Sequence, residues 1–141
     1  MPLVVPDAGE LFLLDTLLKK ALSATSEAQI LKLYTNNVTP NSTFVVGSFV
    51  EATFTNYAAR TLTRSGWSAA VTVSNKAESS FGTTQSWTCG STGQTVNGYY
   101  VQSNGSGSQV LWAELFTTAR TLASGDILNI TPKFTLFSEN N

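Results

Sequence analysis

The chain has 141 residues, 42% of them hydrophobic, so one domain with a well-buried core can form without disulfides or metals. Only 12% of the residues are charged, against roughly 25% in an ordinary soluble domain, and the formal net charge is -1. With no histidine and Cys89 as the single cysteine, Ser-His-Asp and Cys-His nucleophile systems, His-ligated metals, zinc and iron–sulfur clusters and an intrachain disulfide are all excluded.

Residues 1–27 are predicted to form an arm followed by an amphipathic helix. Pro2 and Pro6 favour an extended conformation around the apolar Leu3, Val4 and Val5. Over residues 8–23 the spacing becomes helical, with Leu11, Leu14, Leu18 and Leu22 recurring at three and four residues. Asp7 is placed as N-cap with Glu10 three residues on, and Lys19 and Lys20 suit the C-terminal end of the dipole. Phe12 and Leu13 lie off the main stripe, so the helix is more apolar than one buried face requires. Leu3, Val4, Val5, Leu11, Phe12, Leu14 and Leu18 are therefore the expected assembly contacts. Asp7, Glu10 and Asp15 interrupt the apolar run, and the lysine pair follows it, so the segment does not read as a signal peptide. No uninterrupted apolar stretch reaches membrane-spanning length, and the expectation is a protein made in a cytoplasm with no membrane partner.

From residue 28 to 141 the period changes to two and predicts a β-sandwich domain. Candidate strands are 29–35, 44–55, 57–62, 67–74, 85–89, 96–103, 109–116 and 126–137. Turn signals separate them: Asn36-Asn37, Pro40-Asn41, Ser65-Gly66, Gly90-Ser-Thr-Gly93, Asn104-Gly-Ser-Gly107 and Ser124-Gly125-Asp126. Trp67, Ala69, Val71 and Val73 are expected to share one face. Pro132 inside the last strand predicts an edge or a bulge. About eight short strands at this spacing indicate a mainly β, jelly-roll-like or Greek-key sandwich preceded by the helix. Four sequons, at Asn37, Asn41, Asn104 and Asn129, arise readily by chance in a chain this rich in Ser and Thr.

Few constellations carry chemistry. Glu51, Glu78 and Glu114 are the only acidic residues between Lys32 and Asp126. Glu51 and Glu114 fall in predicted strands and could flank a glycosidic bond. The simpler reading pairs each with Arg60, Arg64 or Arg120, or places it on a solvated face. Trp87, Trp112, Tyr99 and Tyr100 could supply a glycan platform, and adjacent Tyr99 and Tyr100 should point to opposite sides of a strand. Core packing is the more economical use of all four. Asp126 after Gly125 reads as a turn, since a calcium site needs clustered oxygen ligands. Cys89 reads as a small buried side chain. The eight Lys and Arg residues are scattered, which argues against a nucleic-acid surface. No catalytic residue, cofactor or metal is expected.

The successions Leu31-Lys-Leu-Tyr34-Thr-Asn-Asn37-Val-Thr-Pro40, Phe49-Val-Glu51-Ala52 and Tyr57-Ala58 carry a likeness. So do Gly98-Tyr99-Tyr100-Val101, Leu111-Trp112-Ala113-Glu114, Gly125-Asp126, Ile130-Thr131-Pro132 and the opening Val4-Val5-Pro6-Asp7-Ala8-Gly9-Glu10. Over most of its length the chain resembles small bacteriophage virion structural proteins, either capsid decoration (cement) proteins or tail-associated proteins. The resemblance implies a role in assembly on the virion, at the outer capsid surface, with the major capsid protein as partner. A homotrimer is the expected form, because a three-subunit plug matches a local three-fold axis. The alternative is a tail-tip or tail-fibre component that binds a host-surface glycan through Trp87, Tyr99 or Tyr100.

Overall fold

The computed structural model describes residues 28–41, 43–74, 76–104 and 108–136. The arm and helix expected over 1–27, with Leu3, Val4, Val5, Leu11, Phe12, Leu14 and Leu18, lie outside the described residues. The chain is mainly β, and its strands pair antiparallel in several sheets. In chain order they are β1 (Gln29–Tyr34), β2 (Arg60–Leu62), β3 (Val71–Val73), β4 (Lys76–Ser80), β5 (Gln85–Thr88), β6 (Gln94–Ser103), β7 (Val110–Leu122), β8 (Ile127–Ile130) and β9 (Lys133–Leu136). They form one sheet in the order β2-β1-β6-β7, a second in the order β3-β4-β9, and a pair β5-β8.

The alternation in β1 explains its place. Leu31 and Leu33 are fully buried in a core that also takes Leu62 from β2, Ala77 from β4, Trp87 from β5 and Leu128 and Ile130 from β8. All three sheets thus share one apolar interior. Tyr34 points the other way and joins a second cluster with Tyr100 and Phe49. Phe49 stacks on Tyr100 with ring centroids 4.6 Å apart and lies 4.9 Å from Tyr34. Between these clusters runs β6, in which five consecutive residues, Gly98 to Gln102, are buried. A strand covered on both faces loses the alternation of a half-exposed one. Tyr99 therefore enters the main core while Tyr100 enters the second cluster, and neither side of the strand faces water.

The cover of the second face is the segment expected as a strand over 44–55. Its side chains pack as the pattern requires, but its backbone forms only a 3-10 turn at Val46–Ser48 and an isolated bridge between Glu51 and Tyr34. The side-chain amide of Asn36 takes the place of a neighbouring strand. It donates to the Ser48 carbonyl at 2.9 Å and accepts from the Val50 N–H at 2.8 Å. With those backbone groups satisfied, no ladder is needed.

Other expected strands are trimmed or divided. Of 57–62 only Arg60–Leu62 forms a strand, and of 67–74 only Val71–Val73, with Trp67 making an isolated bridge to Phe81. Trp67 is buried, while Val71 and Val73 are exposed, so the shared face expected for them does not form. Lys76–Ser80 is a strand that the periodicity does not announce, because its inward residues are only Ala77 and Ser79. The run 126–137 breaks at Thr131-Pro132, so that β8 pairs with β5 and β9 with β4. Pro132 has no N–H to give a ladder, and its carbonyl accepts instead from Phe81 at 2.8 Å.

Gly98 is the residue that lets β1, β6 and β7 come together. It pairs with Tyr34 on one side and Leu115 on the other. A methyl group there would run into the Glu114 carbonyl oxygen and lie 2.5 Å from the Tyr34 hydroxyl oxygen. Gly98→Ala should therefore cost about 2 kcal/mol by overpacking. The check is urea unfolding, where the midpoint should fall without a change in slope.

Candidate functional site

A cleft of about 600 Å³ opens between β7 and β8. These strands are consecutive in the chain and joined by a short turn, yet they pair away from each other, β7 with β6 and β8 with β5. Glycine is needed in the turn, where Gly125 has a φ of 90°. The Asp126 carboxylate accepts from the Ala123 N–H at 2.8 Å, which closes the turn as the sequence predicts. Two backbone bonds of 2.8 Å between Cys89 and the turn tie it to the end of β5, and Cys89 itself is buried.

One wall of the cleft is shaped by a slip in register. Val96 pairs with Arg120 but Gly98 with Leu115, so Asn97 alone faces residues 116–119 of β7. The surplus bows β7 away from β6. Register places Glu114 beside Tyr99 and Arg120 beside Val96, both on the core side of the sheet and on the lining of the cleft. Opposite them β8 presents buried Leu128 and Ile130, with Ile127 60% exposed at the rim. The floor is therefore apolar, and the walls carry two carboxylates, Glu114 and Asp126, one guanidinium and threonine hydroxyls.

Glu114 is anchored by tyrosines. Its carboxylate accepts from the Tyr99 hydroxyl at 2.7 Å and its carbonyl from the Tyr34 hydroxyl at 3.2 Å. Glu51 has different partners, the Lys32 ammonium at 2.8 Å and the Tyr57 hydroxyl at 3.0 Å. The two carboxylates share no partner. Glu51 is held by Lys32, and Glu78 by Lys133 at 3.1 Å, instead of by the arginines expected from sequence. Among the described residues no three Cys, Asp or Glu side chains come together as a metal site would require.

The candidate glycan-facing aromatics are corrected by their burial. Trp87 is fully buried, its indole N–H donates to the Ala58 carbonyl at 2.7 Å, and the Arg60 guanidinium lies over its ring. Tyr99 and Tyr100 are 5% and 1% exposed. The expectation that one of this adjacent pair faces solvent fails, because both faces of β6 are covered. Trp112 is half-buried and packs edge-on to Trp67 at 5.8 Å. No ring of this set is free to stack on a sugar.

What the sequence did not indicate is an apolar edge. All three residues of β3 are exposed, with Val71 at 53% and Val73 at 46%, and among the described residues β3 ends the β3-β4-β9 sheet. The alternation of 67–74 carries the signal for these valines, but read alone it points to the core.

All four tyrosines resist ionisation. Burial, and secondarily the Glu114 charge, pushes Tyr34 up to about 12. Burial and then the Glu51 charge push Tyr100 up to about 12. Tyr57 and Tyr99 are also raised, mainly by burial, with their carboxylate neighbours adding to it. An unfolded tyrosine titrates near pH 10, so above that pH the unfolded state releases protons that the folded state retains. The contribution of these groups to stability is thus complete below pH 10 and is lost as pH rises from 10 through 12 for Tyr34 and Tyr100, and at higher pH still for Tyr57 and Tyr99. Tyrosinate absorbance should show almost no ionisation at pH 10 to 11 in the native protein, followed by a steep rise coincident with loss of β circular dichroism.

No family model matches this chain, and no curated protein is significantly similar to it.

Proposed function

We propose that the protein is a structural component of a bacteriophage virion, a capsid decoration (cement) protein that binds the outer shell and stabilises it. The observation that carries this reading is the uncharged apolar edge at β3. A free strand edge invites pairing, and soluble proteins usually guard such edges with charge, proline or a covering element. Here Val71, Thr72 and Val73 offer only aliphatic and hydroxyl groups to solvent, and Val45 and Val50 are exposed elsewhere at 60% and 57%. Such surfaces fit a protein whose working state is an assembly. The low charge content and the resemblance to virion structural proteins support the same reading.

On this reading the fold is a jelly-roll-like sandwich. The β2-β1-β6-β7 sheet forms one layer, and β3-β4-β9 with β5-β8 forms the other. The support is that a single core draws side chains from all three sheets. The partners are the major capsid protein and further copies of this chain, as a homotrimer at a local three-fold position. The role needs no catalytic residue and no cofactor. The tail-component reading drew on Trp87, Tyr99 and Tyr100 as a glycan platform, and their burial removes its support.

Quantitative mass spectrometry of purified virions should find this protein in numbers comparable to the major capsid protein, and its absence from the particle would sink the proposal. Val71→Lys and Val73→Lys, at exposed positions, should change folding stability by no more than about 0.5 kcal/mol. The same variants should bind poorly to shells stripped of the native protein in a sedimentation assay.

A further inference from the structure

We propose that the β7–β8 cleft is a strand-acceptor site, filled by Leu3–Val5 of a neighbouring copy of this chain. Self-association of this kind stands whether or not the protein is found on a virion. A groove lined by the face of a strand shows alternate residues, because successive side chains point to opposite sides. From β7 this cleft takes mainly alternate residues, 114, 116, 118, 120 and 122, on the core-side face of that strand, whereas β8 lines it with its consecutive residues 127–130. It is therefore walled on one side by the face of β7 and bounded on the other by the edge of β8. That edge lacks a partner strand among the described residues, since β8 pairs only with β5. Unpaired N–H and C=O groups above an apolar floor are what strand addition uses: main-chain bonds hold the incoming segment, and pockets take its alternate side chains. Leu122, Leu128 and Ile130 supply that floor.

The segment chosen has the matching chemistry. Leu3, Val4 and Val5 are uncharged, and two are β-branched, so they suit a strand. Pro2 and Pro6 bracket them, and as neither has an N–H, pairing is confined to a short stretch. That stretch fits β8, which is four residues long. Reach is ample, because the residues between Val5 and β1 span up to about 75 Å when extended. The direction favours a neighbour. Gln29, where the chain enters β1, pairs with Ser103 at one end of β6, whereas the cleft starts at Glu114 opposite Tyr99 and runs towards Leu122 opposite Gln94. The segment thus joins the sheet at the end away from its own cleft.

The test is a disulfide trap in the full-length chain, with Cys89→Ser to remove the native thiol. Val4→Cys is combined with Ile127→Cys or, in a separate variant, Asn129→Cys, which lies on the same side of β8. Mild oxidation should give disulfide-linked dimers and larger species on a non-reducing gel from at least one pairing. Val4→Cys with Val71→Cys should give none, and a synthetic peptide of residues 1–8 in excess should suppress the links. Deleting residues 1–6 should lower the native mass seen by light scattering. Links confined within single chains would overturn the proposal, because the cleft would then hold the chain's own segment. The absence of any link, together with an unchanged mass on deletion, would overturn it as well.

Discussion

Burial of β6 on both of its faces is the constraint on which the other features rest. Leu31, Leu33, Tyr99 and Val101 fill one side of the β1–β6 pair, while Tyr34, Tyr100 and Phe49 fill the other. A ribbon enclosed in this way has no water for its polar atoms, and an unsatisfied one costs roughly 1–3 kcal/mol. The local details reflect that cost. Tyr34 crosses Gly98 so that its hydroxyl reaches the Glu114 carbonyl. The Asn97 side chain donates to the Thr35 carbonyl, and Asn36 stands in for a missing strand beside Ser48 and Val50. Lys32, half-buried in the middle of β1, is neutralised by Glu51. The raised tyrosine pKa values are the electrostatic form of the same enclosure, since each phenol can stay there only while it is neutral.

The parts of this arrangement that were legible in the sequence are those where one face of a strand is wet. β5 alternates visibly, with Trp87 inward between exposed Ser86 and Thr88, and the turns at Gly90–Gly93 and Gly125-Asp126 are written in glycine and aspartate. The parts that were not legible have three physical causes. In 44–55 the apolar alternation was real, but side-chain amides took over the backbone bonding that a strand would need. In Lys76–Ser80 the buried positions hold Ala77 and Ser79, too small and too polar to register as a hydrophobic period. In 67–74 alternation alone could not say that the face bearing Val71 and Val73 leaves the core after Trp67. For the candidate site, the turn at Asp126 could be read in advance. The cleft could not, because it depends on β7 and β8 pairing in opposite directions, and pairing partners are long-range facts. Residues 116–119 gave no sign of their surplus, since a bulge shows only against its partner strand.

The edges differ in how they are protected, and the difference locates where this surface can act. Arg60 lies on edge strand β2, and Lys133, ion-paired to Glu78, lies on β9. A charge on an edge discourages pairing with another chain, because a ladder would desolvate it. β3 has no such charge, and its exposed groups are side-chain methyls and a hydroxyl. β7 is bowed by its bulge over residues 116–119, which spoils flat pairing with another strand, whereas β8 is short and among the described residues pairs only with β5. Two kinds of adhesion therefore remain open, apolar burial at β3 and main-chain pairing along the cleft.

Charge composition decides between ways of using them. With 12% charged residues and a net charge of -1, the chain has little long-range field to steer a partner or to orient one on approach. Encounter must then be slow or locally concentrated, and the complex, once formed, must be held by contact terms. Those terms grow with the apolar area removed from water and with the number of backbone bonds completed, and both are nearly insensitive to salt. A protein confined at high local density gives up little by lacking electrostatic steering, and it gains contacts that do not weaken as ionic strength rises. Free diffusion to a rare partner would put the opposite demand on the surface, and the sparse charge on these edges does not meet it.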